Sequence, residues 1–423
     1  MDQKELFRNP PAAYRGKPFW AWNGRLEEKE LLRQIDVFQE MGFGGFFMHS
    51  RTGLETEYLG KEWFEDTSAC IRYAEKKKLE PWLYDEDRWP SGSAGGMATA
   101  KRKYRASFLE AEQKDRIDWE KEAEETNGKG KERIACFACR MEGCSFSRKR
   151  RLETGDALQD GETALLFSVV EAPRREVYNG NTYLDTMNPE AVKYFIELTH
   201  ERYAAGLSEE DFEKVCGIFT DEPHRGPLFT SFNGGREEWV PYTPKLFETF
   251  QEMYGYDLRE FLPELFFREK GQRLSRVTYH YIALCQELFL NSFARPIQEW
   301  CAKHRMKLTG HVLHEDSLIA QTLMQGSLMR FYECMDIPGI DHLLRDNRCF
   351  WIVKQAVSVA KQFKKPWVLS ELYGATGWKS TLEEYKQIGD WQALFGINLR
   401  CPHLAWYTMK GEAKRDYPAS ISF

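Results

Sequence analysis

The stretch from Cys216 to His224 reads Cys-Gly-Ile-Phe-Thr-Asp-Glu-Pro-His and decides the fold. An apolar run that stops at two carboxylates is typical of the C-terminal end of a buried parallel strand. Pro223 disfavours a helical conformation at Glu222, so we expect extended backbone there. Barrel enzymes carry their catalytic groups at such strand ends. The stretch therefore predicts a parallel α/β fold with Glu222 as a candidate functional residue; a surface acid pair that ends a strand is the alternative.

The same rhythm of strand and helix recurs along the chain. Short apolar segments that end on polar residues predict strands at 18–22, 44–49, 81–84, 215–220, 307–311, 336–341, 366–371 and 396–399. Helical periodicity predicts helices at 31–41, 61–78, 243–254, 274–304, 348–363 and 382–395. Eight strands in this rhythm predict a (β/α)₈ TIM barrel. A doubly wound sheet would want a glycine-rich turn after its first strand, where this chain has Asn23-Gly24-Arg25.

The rhythm breaks between residues 101 and 185. A charged segment at 120–133 and alternating stretches such as 164–170 predict an inserted α+β excursion, set between strand three and its helix. Asn188 and Pro189 then restart the pattern as a helix cap and a first helical residue. We therefore expect one barrel over residues 1–423 with an insertion at 101–185. The chain ends at Phe423, soon after the eighth strand, so we expect a barrel truncated there.

Composition argues against several classes of partner. The net charge is −6 without a basic excess, which speaks against nucleic acid and anionic membranes. No apolar stretch approaches the roughly 18 residues of a membrane span, and Met1 to Asn9 has no signal-peptide pattern. Ten scattered cysteines indicate free thiols in a reducing cytoplasm. Cys136, Cys139 and Cys144 could form a metal knuckle, but they lack a fourth ligand in a recognisable spacing, and we expect incidental thiols.

Polar residues at the predicted strand ends would converge on one face of the barrel. Glu222 and Glu371 stand out because each ends an apolar strand, on strands four and seven, at opposite sides of the barrel mouth. Glycoside hydrolysis needs such a pair, one acid to protonate the leaving oxygen and one base or nucleophile. Aromatic walls can tune two carboxylates to opposite protonation states. The other candidates, for substrate contact, are Trp22, His49, Arg51, Asp85, Asp87, Trp89, Asp221, His311, Tyr373 and His403.

Each of these candidates has a structural alternative. The histidines can be satisfied residues at a barrel rim. The run from Asp85 to Asp87 can be a solvated acidic turn or a hard-cation site, although we favour substrate contact. The aromatic candidates can stack on a sugar or pack in the core, and we expect Trp20 in the core. His311 and His314 suggest zinc only superficially, because the zinc-protease pattern lies on a helix and this pair follows a strand.

Several motifs resemble a known family. They are Phe19-Trp20-Ala21-Trp22-Asn23-Gly24, Gly44-Gly45-Phe46, His49-Ser50-Arg51-Thr52-Gly53-Leu54, the run from Trp82 to Gly92, Phe219-Thr220-Asp221-Glu222-Pro223, Ser370-Glu371 and His403. Together they resemble glycoside hydrolase family 106, which is known for α-L-rhamnosidases, and its uncharacterised relatives. The resemblance covers nearly the whole chain and is less specific to rhamnose than to the superfamily.

The resemblance implies an inverting α-L-rhamnosidase-type hydrolase in which Glu222 is the acid and Glu371 the base. It implies a carbohydrate substrate and no required cofactor, although members can use a calcium ion near the sugar. Typical members are longer, with β-rich domains after the barrel and often an export signal. The alternatives are a non-catalytic or truncated carbohydrate-binding barrel and a metal-dependent hydrolase built on His311 and His314.

Overall fold

Eight parallel strand positions close into a barrel in the computed structural model, which describes residues 2–128, 131–226, 239–344 and 349–410. Numbered along the chain, the barrel strands are β1 (Phe19–Trp22), β2 (Gly45–Ser50), β3 (Glu80–Asp87), β8 (Gly217–Asp221), β11 (Lys307–His311), β12 (Ile337–Asp341), β13 (Leu369–Leu372), β14 (Leu399–Pro402) and β15 (Ala405–Trp406). The last two strands share the eighth position, because β14 pairs with β13 and β15 pairs with β1. This closure confirms the predicted (β/α)₈ barrel.

Most of the described helices follow barrel strands as the βα rhythm predicts, whereas the first precedes β1 and the fourth lies in the inserted segment. They are α1 (Gln3–Arg8), α2 (Glu28–Glu40), α3 (Lys61–Lys77), α4 (Trp119–Gly128), α5 (Pro189–Leu198), α6 (His200–Gly206), α7 (Glu209–Glu213), α8 (Leu246–Tyr254), α9 (Pro263–Phe266), α10 (Arg276–Phe289), α11 (Arg295–Lys303), α12 (Leu318–Met324), α13 (Leu328–Glu333), α14 (Phe350–Gln362) and α15 (Leu382–Phe395). A π-helical turn joins α10 to α11. The Asn188 side chain caps α5 by accepting from the Glu190 amide, as predicted. Of the helices in the described ranges, none has the length and apolarity to cross a membrane.

The two faces of the barrel strands bury different cores, since side chains alternate along a strand. Phe19 points inward, and its ring centroid lies 4.7 Å from that of Phe219 across the barrel interior. Trp20 and Trp22, on the opposite face, pack against helix-side residues, with Trp22 4.8 Å from the Trp63 ring. The barrel interior is therefore a packed apolar core.

A second, six-stranded sheet follows β3 and confirms the predicted inserted excursion. Its strands are β4 (Ser107–Lys114), β5 (Glu132–Glu142), β6 (Ser145–Leu152), β7 (Thr163–Glu171), β9 (Trp239–Tyr242) and β10 (Arg268–Glu269). Antiparallel pairing links β6, β5, β7, β4 and β9 in that order. Because β9 and β10 come from beyond residue 185, the sheet also uses chain outside the 101–185 range, and that domain division stays a prediction.

The backbone at Glu222 differs from the sequence prediction, and two further predictions concern residues outside the described ranges. Glu222 has φ +49°, in the left-handed region, instead of the extended backbone that Pro223 led us to expect. Pro223 excludes right-handed helical backbone but leaves this conformation open. The tail beyond residue 410, with Pro418, and the predicted helix start at Arg348 lie outside the described residues.

Replacing Gly310 by Ala should lower the free energy of unfolding by about 2–4 kcal/mol. Gly310 has φ +140°, and an added Cβ would collide with the Thr220 carbonyl of the neighbouring strand β8. Urea denaturation measures the loss. Gly143→Ala is the matched control, because Gly143 also has positive φ but no atom within 4 Å of the added Cβ. Equal losses in the two variants would show that backbone strain alone, without the collision, sets the effect.

Candidate active site

A cavity of about 210 Å³ opens at the C-terminal ends of the barrel strands. Its lining residues are Arg51, Trp89, Asp221, Glu222, Asp341, Leu343, Glu371, Ala375 and His403. Six of them, Arg51, Trp89, Asp221, Glu222, Glu371 and His403, are sequence-predicted site residues.

Glu222 lies directly after β8, and its backbone is strained. A left-handed φ is uncommon for a residue with a side chain, and such conformations persist where the surrounding structure enforces them. The indole N–H of Trp89 donates a hydrogen bond to Glu222 Oε2 at 2.6 Å. Glu222 is 9% exposed, so its carboxyl group is buried yet faces the cavity. The strain and the indole contact together fix this carboxyl group at the mouth.

Glu371 lies in β13, next to β12 and β14, where Asp341 and Cys401 are its register partners. A hydrogen bond of 2.6 Å joins Glu371 Oε2 and His311 Nε2. The same His311 nitrogen lies 3.5 Å from Asp221 Oδ1. His403 Nε2 lies 3.9 Å from Glu371 Oε1. Glu371 therefore has imidazole neighbours on both of its oxygens.

The electrostatics of the two glutamates differ in the charges that face them. Burial raises the pKa of Glu222 well above its usual value, and the neighbouring carboxylates add to the rise; they are Asp341, Asp221, Glu371 and Glu315. Burial likewise raises the pKa of Glu371 well above its usual value, and Asp221 and Glu315 act in the same direction, but the Arg51 guanidinium opposes the rise. Glu222 thus has the environment of a protonated acid, and Glu371 has a cation that favours its ionised form.

Asp341, at the end of β12, is a cavity residue that was absent from the predicted substrate contacts. Its Oδ1 atom is buried and has no hydrogen-bond partner among the described residues. Burial raises its pKa well above the usual value, and Glu371 adds to the rise. The signal for this residue was present in the sequence, because Asp341 ends an apolar strand as Glu222 and Glu371 do.

Two aromatic candidates lie away from the cavity. Trp22 is fully buried in the core between barrel and helices, as Trp20 is, because both point to the helix side of β1. The Tyr373 ring lies 5.1 Å from the ring of Tyr385 on α15, and Tyr373 is not among the lining residues. Trp22 and Tyr373 therefore lie outside this cavity, in contrast to their predicted place in it, and their contact with a sugar stays untested; of the predicted aromatic contacts, Trp89 lines the cavity.

The acidic run at the end of β3 has a supporting position instead of a lining one. Asp85 is fully buried and accepts a hydrogen bond of 2.5 Å from the Ser91 hydroxyl. Asp87 accepts from the Ser50 hydroxyl at 2.5 Å. Neither residue lines the cavity, and the Asp85 Oδ2 atom is buried without a hydrogen-bond partner among the described residues, so substrate contact by Asp85 or Asp87 stays a prediction. Burial raises the pKa of Asp85 to about 7.

Two predicted histidines stand behind the cavity. His49 is fully buried, stacks on Tyr84 at 3.6 Å, and its Nε2 hydrogen-bonds the Arg51 guanidinium at 2.9 Å. Arg51 is the member of this pair that lines the cavity. His311 likewise acts on the cavity through its bond to Glu371. These histidines orient charged groups that the cavity exposes.

Two sets of side chains within the described residues could hold a metal ion. They are Asp221–His311–Glu371 and Glu222–His311–Asp341, in each of which the candidate ligand atoms lie within 4.8 Å of one another. Calcium takes about six to eight oxygen ligands. Neither set fits it, because each places an imidazole among three ligands and His311 Nε2 already bonds Glu371. His314 belongs to neither set, and the described clusters do not include Cys136, Cys139 or Cys144.

Comparisons with known proteins agree on the fold. No family model matches the chain, and no curated protein sequence matches it. The structure of a rhamnosidase from Novosphingobium sp. PP1Y is similar with a TM-score of 0.67 and 13% identity, covering 96% of this chain and 56% of that one. A glycoside hydrolase family 20 β-N-acetylglucosaminidase aligns with a TM-score of 0.39 and 7% identity over 93% of this chain and 65% of that one, too low to support an argument.

The class that these observations define is a (β/α)₈ barrel with its polar residues gathered in one cavity at the strand ends. The barrel is of the kind seen in the Novosphingobium rhamnosidase. The present chain spans 56% of the length of that protein.

Proposed function

We propose that this protein is a glycoside hydrolase, most similar in activity to an α-L-rhamnosidase, that cleaves a terminal glycosidic bond. The observation that carries the proposal is the placement of Glu222 and Glu371 in one small cavity at the barrel mouth. Two carboxyl groups on a shared cavity are what glycoside hydrolysis requires. The fold shared with a rhamnosidase supports the class, and the sequence resemblance supports rhamnose as the sugar.

In this proposal Glu222 protonates the leaving oxygen and Glu371 activates water. The surrounding carboxylates favour the protonated form of Glu222, and Arg51 favours the ionised form of Glu371. Trp89, Arg51, Asp221 and His403 line the space that the sugar would occupy. No cofactor is needed for this chemistry. We further propose a cytoplasmic setting, with a carbohydrate as the partner and neither nucleic acid nor membrane involved.

A panel of aryl glycosides, α-L-rhamnoside included, tests the activity. Release of the aryl alcohol from one member, absent in a Glu222/Glu371 double variant, is the expected result. Binding of sugars without turnover, measured by calorimetry, would instead support a non-catalytic carbohydrate-binding barrel. The proposal would be contradicted if the protein neither cleaved nor bound any sugar in the panel.

The stereochemistry of the first product is expected to show inversion. Retaining enzymes hold their two carboxyl groups about 5–5.5 Å apart, and inverting enzymes roughly 6.5–9.5 Å apart to admit a water. The resemblance to family 106 favours inversion, while positions on strands four and seven are shared with many retaining barrels. Proton NMR of the first-formed sugar decides: retained anomeric configuration would make Glu371 a nucleophile.

Exhaustive chelation should leave the glycosidase activity unchanged, because neither candidate metal set fits calcium. The measurement is turnover before and after dialysis against EDTA, together with metal analysis of the purified protein. Loss of activity that calcium restores would establish a calcium requirement. Loss that only zinc or another transition metal restores would favour the metal-dependent hydrolase alternative centred on His311.

A further inference from the structure

The loop that carries Trp89 is wrapped around one buried carboxylate. We call residues 88–96 the mouth loop; it follows β3 directly. Glu86, the penultimate residue of β3, is 1% exposed. Its Oε2 atom accepts hydrogen bonds from the backbone N–H groups of Gly92 (2.9 Å), Ser93 (2.7 Å) and Ala94 (2.8 Å).

The other carboxylate oxygen completes the arrangement. Glu86 Oε1 accepts from the Asp87 N–H at 2.9 Å and from the Gly95 N–H. Successive N–H groups that converge on one anion form a nest, and here the anion belongs to the protein itself. Burial raises the pKa of Glu86 to about 8, and the N–H donors oppose that rise. Without this acceptor the loop would hold several buried N–H groups without partners, which is unfavourable.

The backbone of the mouth loop needs such an anchor. Ala94, Gly95 and Gly96 all have positive φ, so the segment forms neither helix nor strand ladder that would satisfy its N–H groups. A second tie runs through Ser91, whose hydroxyl accepts from the Asp221 N–H at 2.7 Å. The mouth loop is therefore fixed to β3 and to the end of β8, and Trp89 between these ties donates its indole N–H to Glu222.

We propose that Glu86 is a positioning residue for the reaction: its carboxylate holds the mouth loop so that the Trp89 indole N–H meets Glu222. The inference rests on the proposed role of Glu222 as the acid. The inference gives Glu86, the middle residue of the run from Asp85 to Asp87, a role that does not require contact with the substrate. Glu86 fixes the position of the mouth loop, and the loop in turn fixes the hydrogen bond from the Trp89 indole N–H to the Glu222 carboxyl group.

The proposal predicts the direction in which the pH profile of kcat/KM shifts when the indole hydrogen bond is lost. An N–H donor stabilises the ionised form of a carboxyl group, so losing the indole bond makes Glu222 a weaker acid. The upper pH limb of kcat/KM, which reports the acid, then moves to higher pH. The variants below leave the other titratable and charged groups around Glu222 chemically unaltered; they are Arg51, Asp221, His311, Glu315, Asp341, Glu371 and His403.

The experiment compares Glu86→Gln, Trp89→Phe and the double variant on the best aryl glycoside. Each single variant should lower kcat by about 10–100-fold, with little change in KM, and move the upper pH limb upward. The double variant should be no worse than Trp89→Phe within about twofold, because both changes remove the same contact. Trp89→Phe leaves Glu86 in place. If both single variants move the upper pH limb in the same way, the limb therefore reports Glu222 and not Glu86. Glu142→Gln, an exposed glutamate paired with Lys270, is the control and should be unchanged.

Hydrogen exchange supplies a readout that does not need turnover. Glu86→Gln should speed amide exchange in the peptide that covers the mouth loop, whereas Trp89→Phe should not. If wild-type protein cleaves no glycoside but this exchange difference appears, the proposed function fails and the anchoring stands. Multiplicative losses in the double variant, or a lower kcat without a pH shift, would overturn the positioning role. If Glu86→Gln does not fold, an unchanged pH profile in Trp89→Phe overturns it and an upward shift supports it.

Discussion

Replacing Glu371 by Gln should cut kcat/KM by about 10³-fold on every glycoside that the protein cleaves. The amide keeps an oxygen that can accept from His311, so the geometry at β13 is preserved. It cannot take a proton from water, however, and that step is common to all substrates of an inverting enzyme. The loss should therefore be independent of the leaving group. Steady-state kinetics across a series of aryl glycosides with graded leaving-group pKa measures it.

The same variant should be at least as stable as the wild type. Glu371 faces Asp221 and Asp341, so removing its charge relieves repulsion between buried like charges. A melting temperature that holds or rises while activity collapses distinguishes catalysis from support of the fold. Glu142→Gln on the inserted sheet serves as the activity control. An active Glu371→Gln, or equal loss of activity and stability, would remove Glu371 from the reaction.

Replacing Glu222 by Gln should give a loss that depends on the leaving group. Poor leaving groups need protonation and should lose about 10²–10⁴-fold, whereas activated aryl groups should lose about tenfold or less. A plot of log(kcat/KM) against leaving-group pKa should steepen in the variant. A slope unchanged from the wild type would show that Glu222 is not the acid.

The pH dependence follows from the same assignment. An acid must be protonated to act, so wild-type activity should fall as pH rises through the pKa of Glu222, which burial and four carboxylates place well above its usual value. Activity should also fall as pH drops below the pKa of Glu371, because a base must be ionised. Glu222→Gln should remove the upper limb and keep the lower one. Persistence of the upper limb would assign it to another group.

Local sequence patterns predicted the elements of the barrel well. Strand β11 and helix α15 begin and end where the patterns placed them, at Lys307–His311 and Leu382–Phe395. Asn188 caps α5 because its side chain acts on the next turn of the same chain segment. These features depend on residues close together in sequence, which is why periodicity and capping rules reach them.

The direction of a side chain at the mouth was harder to predict. Trp22 looked like a pocket residue because it ends β1, yet it belongs to the helix-side face and lies in the core. Which of two alternate faces points inward depends on strand register and barrel closure, not on residue type. Asp85 and Asp87, near the end of β3, hydrogen-bond Ser91 in the following loop and Ser50 at the end of β2, and residue type alone does not foretell such partners.

The sequence by itself determined the barrel and its two candidate carboxylates. Both follow from alternation of apolar strands and helices and from the rule that parallel strands bring their C-terminal ends to one edge. Only the tertiary structure decided what faces those carboxylates. The indole N–H of Trp89 and the Asp341 Oδ1 atom, which has no hydrogen-bond partner among the described residues, come from segments far apart in the chain. Local propensity does not predict contacts between residues that are distant in sequence, because the burial and charge around the cavity are set only when the barrel closes.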